Sequence, residues 1–314
     1  MKDATARTGR RSRRPRHGPT AALLRPARWL AVPVLLAVLG ALTGPAAADP
    51  TGPVEPVSVR LRPATGPVSE ALAARLRVHG GDRIRLTEQR ADVTLALGDA
   101  AFRAALAAPG HGAVLGLGIG ATRVLELVGP GCRCSAVRAG VPLAAQLAVL
   151  RELMPGARRV GVMLGPDSAW RAPLAGPVGL LLDVVEVDPP QRLGPLLRRH
   201  LPDWDALLLP DDPVLFGPGT ARLVLLTSYR QRVPVFGPGA DYVHAGSVAS
   251  ATPGSDGLAR AALDWLSRWR ATGDWPAPDF AGHYGLEIND YVARAYDLKV
   301  APGARLERRL ETDP

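Results

Sequence analysis

From Val57 onward, short apolar runs alternate with segments of helical period, and this alternation narrows the fold more than any other feature of the chain. Val57 to Leu61 reads as a strand, Val68 to His79 as a short helix, and Arg83 to Leu86 and Val93 to Leu97 as two further strands. A helix over Asp99 to Ala107 and a strand over Ala113 to Leu117 follow. The clearest helix, Leu143 to Leu153, is rich in Ala and Leu and stops at Pro155-Gly156 before the apolar strand Val160 to Leu164. The pattern then repeats: a strand around Leu181 to Val187, a helix over Gln191 to Leu201, a strand over Ala206 to Leu209, a helix over Gly219 to Arg230 and a strand over Val233 to Phe236. Ser247 to Ser250 reads as a short strand, Ser255 to Trp269 as an amphipathic helix, and Asn289 to Tyr296 as the last helix before a charged tail. A helix between two strands returns the chain to the end where it started, so such strands pair in parallel. The fold class expected is α/β, with parallel sheets flanked by helices.

Residues 1–28 carry Lys2 and eight arginines against the single acid Asp3, and an apolar run extends from Trp29 to Leu42. A basic stretch before a short apolar one is the order of an export signal. The run is 14 residues long, below the roughly 20 that a membrane-spanning helix needs. Ala46-Ala47-Ala48 supplies the small side chains a signal peptidase requires, and cleavage is expected after Ala48. An uncleaved anchor is the alternative reading of so long a basic stretch. No cysteine follows the run, which argues against a lipoprotein anchor.

Of the formal charge of +9, +8 belongs to this leader, since residues 1–48 hold nine Lys/Arg and one acid and leave 29 bases against 28 acids beyond them. The near-neutral remainder lacks the electrostatic footprint of a nucleic-acid binder, so no nucleic-acid partner is expected. A periplasmic location is. The stretch 49–56 is rich in Pro and Gly and reads as a flexible linker. Cys132 and Cys134 are the only cysteines. In an extended segment their side chains point to opposite faces, where a disulfide is strained. In an exported chain they could still oxidise; two thiols without a nearby histidine make a poor metal site, and an inert loop pair is expected.

An enzyme needs a constellation that this sequence does not contain: there is no HExxH, no G-x-S-x-G and no GxxxxGK[ST], and the six histidines are scattered. Gly116 to Ala121 fits the loose dinucleotide pattern, but no acid stands about twenty residues on. Neither a catalytic role nor a cofactor is expected.

From Ala136 to Leu310 the order of motifs resembles the ABC transporter substrate-binding protein family that includes tryptophan- and tyrosine-binding members. The segments carrying the likeness are QLAVLRELMPGARRVGVML from Gln146 to Leu164, WDALLLPDD from Trp204 to Asp212, VPVFGPGADYVHAGSVAS from Val233 to Ser250 and EINDYVARAYDL from Glu287 to Leu298. The resemblance implies a two-lobed periplasmic-binding-protein fold of type I and an exported protein that captures a small, amino-acid-like ligand by hinge closure. Its partners would be the ligand and an ABC permease or a membrane signalling protein, with the chain a monomer. A sensor presenting itself to a receptor, or a degenerate binder without ligand, are the alternatives. The N-terminal lobe is expected over 57–140, with 251–280 returning to it, and the C-terminal lobe over 141–250, with 285–310 packing on it. Only six residues separate the strands ending at Leu86 and starting at Val93, too few for a crossover helix, so the first lobe is expected to be abridged. The Gly/Pro-interrupted segment Pro173 to Val178 reads as a weak helix.

Such a fold brings strand ends and helix N-termini of both lobes to a shared cleft. Gly165 to Ser168, Pro210 to Pro213 and Gly237 to Tyr242 follow strands of the second lobe; Gly98-Asp99-Ala100 and Gly118 to Gly120 hold the matching places in the first. The ligand-contact candidates are therefore Gly98, Asp99, Gly118, Ser168, Asp211, Asp212 and Tyr242. Asp211 or Asp212 would take an ammonium, Ser168 a carboxylate, and Tyr242 would stack on an apolar part, with Phe216 and Tyr229 leaving further room for an aromatic ligand. Ser168 and Asp99 could equally cap helices, Asp211 and Asp212 shape a turn before Pro213, and Tyr242 fill core.

Overall fold

Along β1 (Val57–Arg62) the buried Val57, Val59 and Leu61 alternate with partly exposed neighbours, the period-2 pattern that seats one face of a strand on a core. The computed structural model describes residues 55–171 and 173–300. The expected leader, its cleavage point and the end of the tail lie outside them. Among the described residues no helix is long and apolar enough to cross a membrane.

Pro67, whose missing N–H suits a first helical turn, opens α1 (Pro67–Gly80). There follow β2 (Ile84–Leu86), β3 (Val93–Leu97), α2 (Asp99–Ala107), β4 (Ala113–Ile119), α3 (Ala121–Leu127) and β5 (Cys134–Arg138). These strands form a parallel sheet in the order β2-β1-β3-β4-β5. β3 and β4 are nearly unbroken apolar runs because both faces of the sheet are covered. Leu72 and Leu76 of α1 pack on one face, and Phe102 of α2 with Val124 of α3 on the other. The lobe is abridged, as its sequence implies. Leu86 and Val93 both align with Val59, from opposite sides of β1, so residues 87–92 step across without a returning helix.

The second sheet takes its strands from β6 (Arg159–Leu164), β7 (Leu181–Glu186), β8 (Ala206–Leu208), β9 (Val235–Phe236), β10 (Ala249–Thr252) and β11 (Gly285–Ile288), in the order β11-β10-β9-β8-β6-β7. All pairs are parallel except β10 with β11. Around it lie α4 (Leu143–Leu153), α5 (Leu193–His200), α6 (Pro218–Arg230), α7 (Ala240–Ala245) and α9 (Asp290–Ala295). The weak helix expected over Pro173 to Val178 does not form: the described residues there are turn and coil, since Pro173, Gly176, Pro177 and Gly179 deny a helix its N–H donors and its backbone restriction. Gln146 of α4, 1% exposed, fixes the helix to the sheet by donating to Ser250 Oγ at 2.8 Å and accepting from the Ala251 N–H at 3.1 Å.

The chain passes between the sheets over 139–142, at Pro253 and over 273–284. The helix α8 (Gly254–Thr272) leaves the second sheet but lays Ala259, Ala262 and Leu266 on the first, beside α1. The returning segment is tied along β5 by Arg138 N–H to Asp279 O at 2.8 Å and Asp279 N–H to Ala136 O at 3.3 Å. Tyr284 packs against the cores of both lobes.

The cysteines correct the expectation of an inert pair, because Cys132 and Cys134 form a disulfide. Their Cα atoms stand 5.1 Å apart, nearer than the roughly 6.6 Å of two residues in an extended strand. The turn closed by Cys132 N–H to Gly129 O bends the chain before β5, so the two side chains need not diverge.

Candidate functional site

In a parallel sheet the helices begin just past the carboxyl ends of the strands, and the loops joining them share one edge. In the second lobe that edge carries a pocket of about 620 Å³ between the loop after β8, the start of α6, the turn into α7 and Thr252 at the end of β10. Its walls combine Phe216, Pro218, Pro238 and Tyr242 with the carboxylates of Asp211 and Asp241. No Lys, Arg or His lines it. The pocket belongs to the second lobe alone; no first-lobe residue reaches its wall.

Next to it the lobes meet. The Thr122 N–H, in the first turn of α3, donates to Asp167 Oδ1 at 3.3 Å. Arg138 Nη2 donates to Ala169 O at 2.7 Å, and the Ala169 N–H donates to Asp211 O at 2.7 Å. Gly140, in the first connection, lies so close to Asp211 that a side-chain carbon there would stand 2.7 Å from Asp211 Cβ. The backbone leaving the first sheet therefore rests on the loop that bears the acid.

The seven candidates divide by what their polar atoms touch. Ser168, wholly buried, donates from Oγ to Asp212 Oδ2 at 2.7 Å and accepts from the Gly165 N–H at 2.8 Å. Asp212, 2% exposed, takes the Val214 and Leu215 N–H groups on Oδ1 at 3.0 and 2.9 Å. The pair latches two loops, and neither group is left free to hold a ligand carboxylate or ammonium. Asp99 accepts from the Gly120 N–H at 2.9 Å and lies 4.0 Å from Arg123 Nε, so it joins the two first-lobe loops. Gly98 and Gly118 both have left-handed backbone, φ 80° and 67°, at the ends of β3 and β4. Tyr242 lines the pocket, 5% exposed, with its buried hydroxyl beside the Thr220 side chain. Burial pushes that hydroxyl's pKa upward. Asp211 also lines the pocket, and no donor satisfies its carboxylate: burial, then the charges of Asp212, Asp167 and Asp99, push it up to about 6.

Tyr229, named as room for an aromatic ligand, lies elsewhere, 63% exposed and edge-on to Tyr296. The contributions of Asp241 to the pocket and of Asp167 to the lobe contact were not singled out from sequence. Both sit in loops that sequence placed at strand ends; an acid near a helix start is so common a capping residue that nothing local marks them.

The latch has a measurable consequence. Ser168→Ala leaves the Gly165 N–H without its acceptor and the buried Asp212 with one donor fewer, and should lower unfolding stability by about 2 kcal/mol, read from the urea midpoint at constant slope. A loss below about 0.5 kcal/mol would show the hydroxyl to be dispensable.

No protein-family model matches this sequence, and no curated protein matches it. Solved structures do. A substrate-binding protein with adhesive properties from Clostridium difficile, in its ligand-free, open form, aligns with TM-score 0.55 at 14% identity over 79% of this chain and 96% of its own. An ABC domain from Streptococcus pneumonia in complex with L-Trp aligns with TM-score 0.53 at 15% identity, over 80% and 98%. A conserved domain protein from Vibrio cholerae gives 0.50 at 17%, over 80% and 98%. The fold is that of the type I-like periplasmic binding proteins, with two lobes and sheets that are mainly parallel.

Proposed function

We propose that this chain is an exported solute-binding protein of an ABC-type uptake system, which captures a small, amino-acid-like ligand between its lobes by hinge closure. The observation that carries the reading is the pocket at the strand ends of the second lobe, bordered by the bonds from Thr122 to Asp167 and from Arg138 to Ala169 that join it to the first. Its volume lies within the range of small-molecule sites, and its walls mix apolar surface with unpaired polar groups. Three chain connections between the sheets supply a hinge, and a ligand that touches both lobes favours the closed arrangement by the difference in its affinity for the two. The proposal includes removal of the basic leader after Ala48, action in the periplasm as a monomer, no catalysis, and delivery to a permease.

A thermal-shift screen of the mature chain against amino acids and related small solutes tests this. A ligand present at 100 times its Kd stabilises the folded state by about 2.7 kcal/mol, which in a chain of this size raises Tm by several degrees. A screen without any shift would point instead to a degenerate binder, for which the missing crossover helices of both lobes speak.

A further inference from the structure

We propose that the outer side of α6, with the end of α5 beside it, is a docking surface for an anionic phospholipid membrane. This goes beyond solute capture and does not depend on what the pocket binds. One side of α6 serves the core: Val224 and Ser228 are buried, and Ala221 and Leu225 pack on the same cluster as Val224. Arg222, Leu223, Leu226, Tyr229 and Arg230 recur at i, i+1, i+4, i+7 and i+8, a spacing that gathers them on the opposite side. All five are exposed. Leu223 stands 39% open to solvent, Leu226 43% and Tyr229 63%. The pocket takes Pro218 and Ala221 from α6 and none of these five, so the two roles fall on different sides of one helix.

The surroundings of this stripe are basic. α5 adds the exposed Arg198 and Arg199, and neither helix contains Asp or Glu. A side-chain carbon on Gly194 would stand 3.5 Å from both Arg198 Nη1 and Leu223 Cδ2, so a guanidinium of α5 and a leucine of the stripe flank one point. Among the described residues none of the four arginines is in an ion pair. Asp203 and Asp205 follow α5, but Asp205 is engaged by the Arg158 and Arg159 N–H groups, both at 2.8 Å. With 29 bases against 28 acids beyond residue 48, such a patch is a local surplus, and the charge it complements is negative. Like charges oppose the same face of a second copy. An acidic protein would satisfy the arginines alone. Leucines and a tyrosine set between arginines suit a layer of phosphates with hydrocarbon directly beneath it: guanidinium pairs with phosphate, tyrosine rests at headgroup level, and leucine enters the acyl boundary.

The test is cosedimentation of the purified mature chain with vesicles of phosphatidylcholine alone, or of equal parts phosphatidylcholine and phosphatidylglycerol. The mixed vesicles should bind at least about 10-fold more tightly, and Arg198→Glu combined with Arg222→Glu should abolish that preference. Both positions are exposed, so the urea midpoint should not move. An environment-sensitive dye on Leu226→Cys, with the two native cysteines held in their disulfide, should shift to the blue on mixed vesicles and not on polyglutamate. Equal affinity for the two vesicle types, or a preference that survives the double charge reversal, overturns the proposal. Binding to polyglutamate as tight as to mixed vesicles, without a dye shift on either, assigns the face to an acidic protein and overturns it as well. So does a dimer in sedimentation velocity that Leu226→Asp dissociates, since a second copy would then cover the face. None of these results bears on the solute screen.

Discussion

Gly161→Ala is expected to lower unfolding stability by about 3 kcal/mol, the upper part of the range for overpacked cores. Gly161 sits within β6, hydrogen-bonded between β7 and β8, and the Trp204 indole lies directly over it. A side-chain carbon at 161 would stand 2.1 Å from two ring carbons of that indole, Cδ2 and Cε3. The ring has little freedom to yield. It is 4% exposed, its Nε1 donates to Asp183 Oδ2 at 3.0 Å, and it packs with Leu197, Leu201 and Leu207 while His200 stacks at 5.7 Å. Trp204→Ala should itself lose about 4 kcal/mol by leaving a cavity. In the double variant the new methyl group enters the emptied space, so the two losses should add to clearly less than their sum. Urea denaturation of the four proteins measures this. A Gly161→Ala midpoint close to that of the unmodified chain, or strict additivity, would mean that the indole moves aside at no cost.

The second large effect has the opposite sign. Asp211→Asn should stabilise the ligand-free protein at pH 7 and above by about 2 to 3 kcal/mol, taking 1.36 kcal/mol for each unit by which the carboxyl is displaced. Its pKa rises from 3.8 to about 6, chiefly because burial disfavours the charged form and then because Asp212, Asp167 and Asp99 repel it. The folded state therefore holds this proton more tightly than the unfolded chain does. Below pH 3.8 both states are protonated and the group carries no penalty. Between about 4 and 6 the unfolded chain releases the proton first, stability falls as pH rises, and above 6 the full penalty persists. Asparagine is a neutral mimic of the protonated acid, so the gap between the two proteins should be absent at pH 4, open toward pH 6 and stay constant beyond. A gap of the same size at pH 4 and pH 8 would place the effect in packing rather than ionisation. An acid kept at the expense of stability is what a binding group for a cation requires.

Elements long enough to show their period were legible before any coordinates. Ala and Leu in α4, the period-2 run of β1 and the unbroken apolar runs of β3 and β6 placed those elements within a residue or two of their bounds. Four of the short elements were not, although β2, β8, β9, β10 and α9 are as short and were read. α3 and α7, of seven and six residues, and β5 and β11, of five and four, went unnoticed. A single turn or so of helix is unfavourable in isolation and forms only when a neighbour covers it, so its sequence need carry no periodic mark. β11 pairs only because the chain, after α8, returns from the first lobe to the edge of the second.

The sequence alone determined that strands and helices alternate, that the strands run in parallel, that one crossover lacks its helix, and that acids and glycines cluster where strands end. These follow from short-range order: side-chain period, Gly and Pro placement, and the reach of a few residues of chain. Which acid remains free was decided only by tertiary structure. Asp211 and Asp212 are neighbours in sequence, yet Ser168, 44 residues away, closes on Asp212 and leaves Asp211 facing the pocket without a donor. Hydrogen-bond partners and desolvation depend on which distant loops share an edge, and that is fixed by the order of strands in the folded sheet.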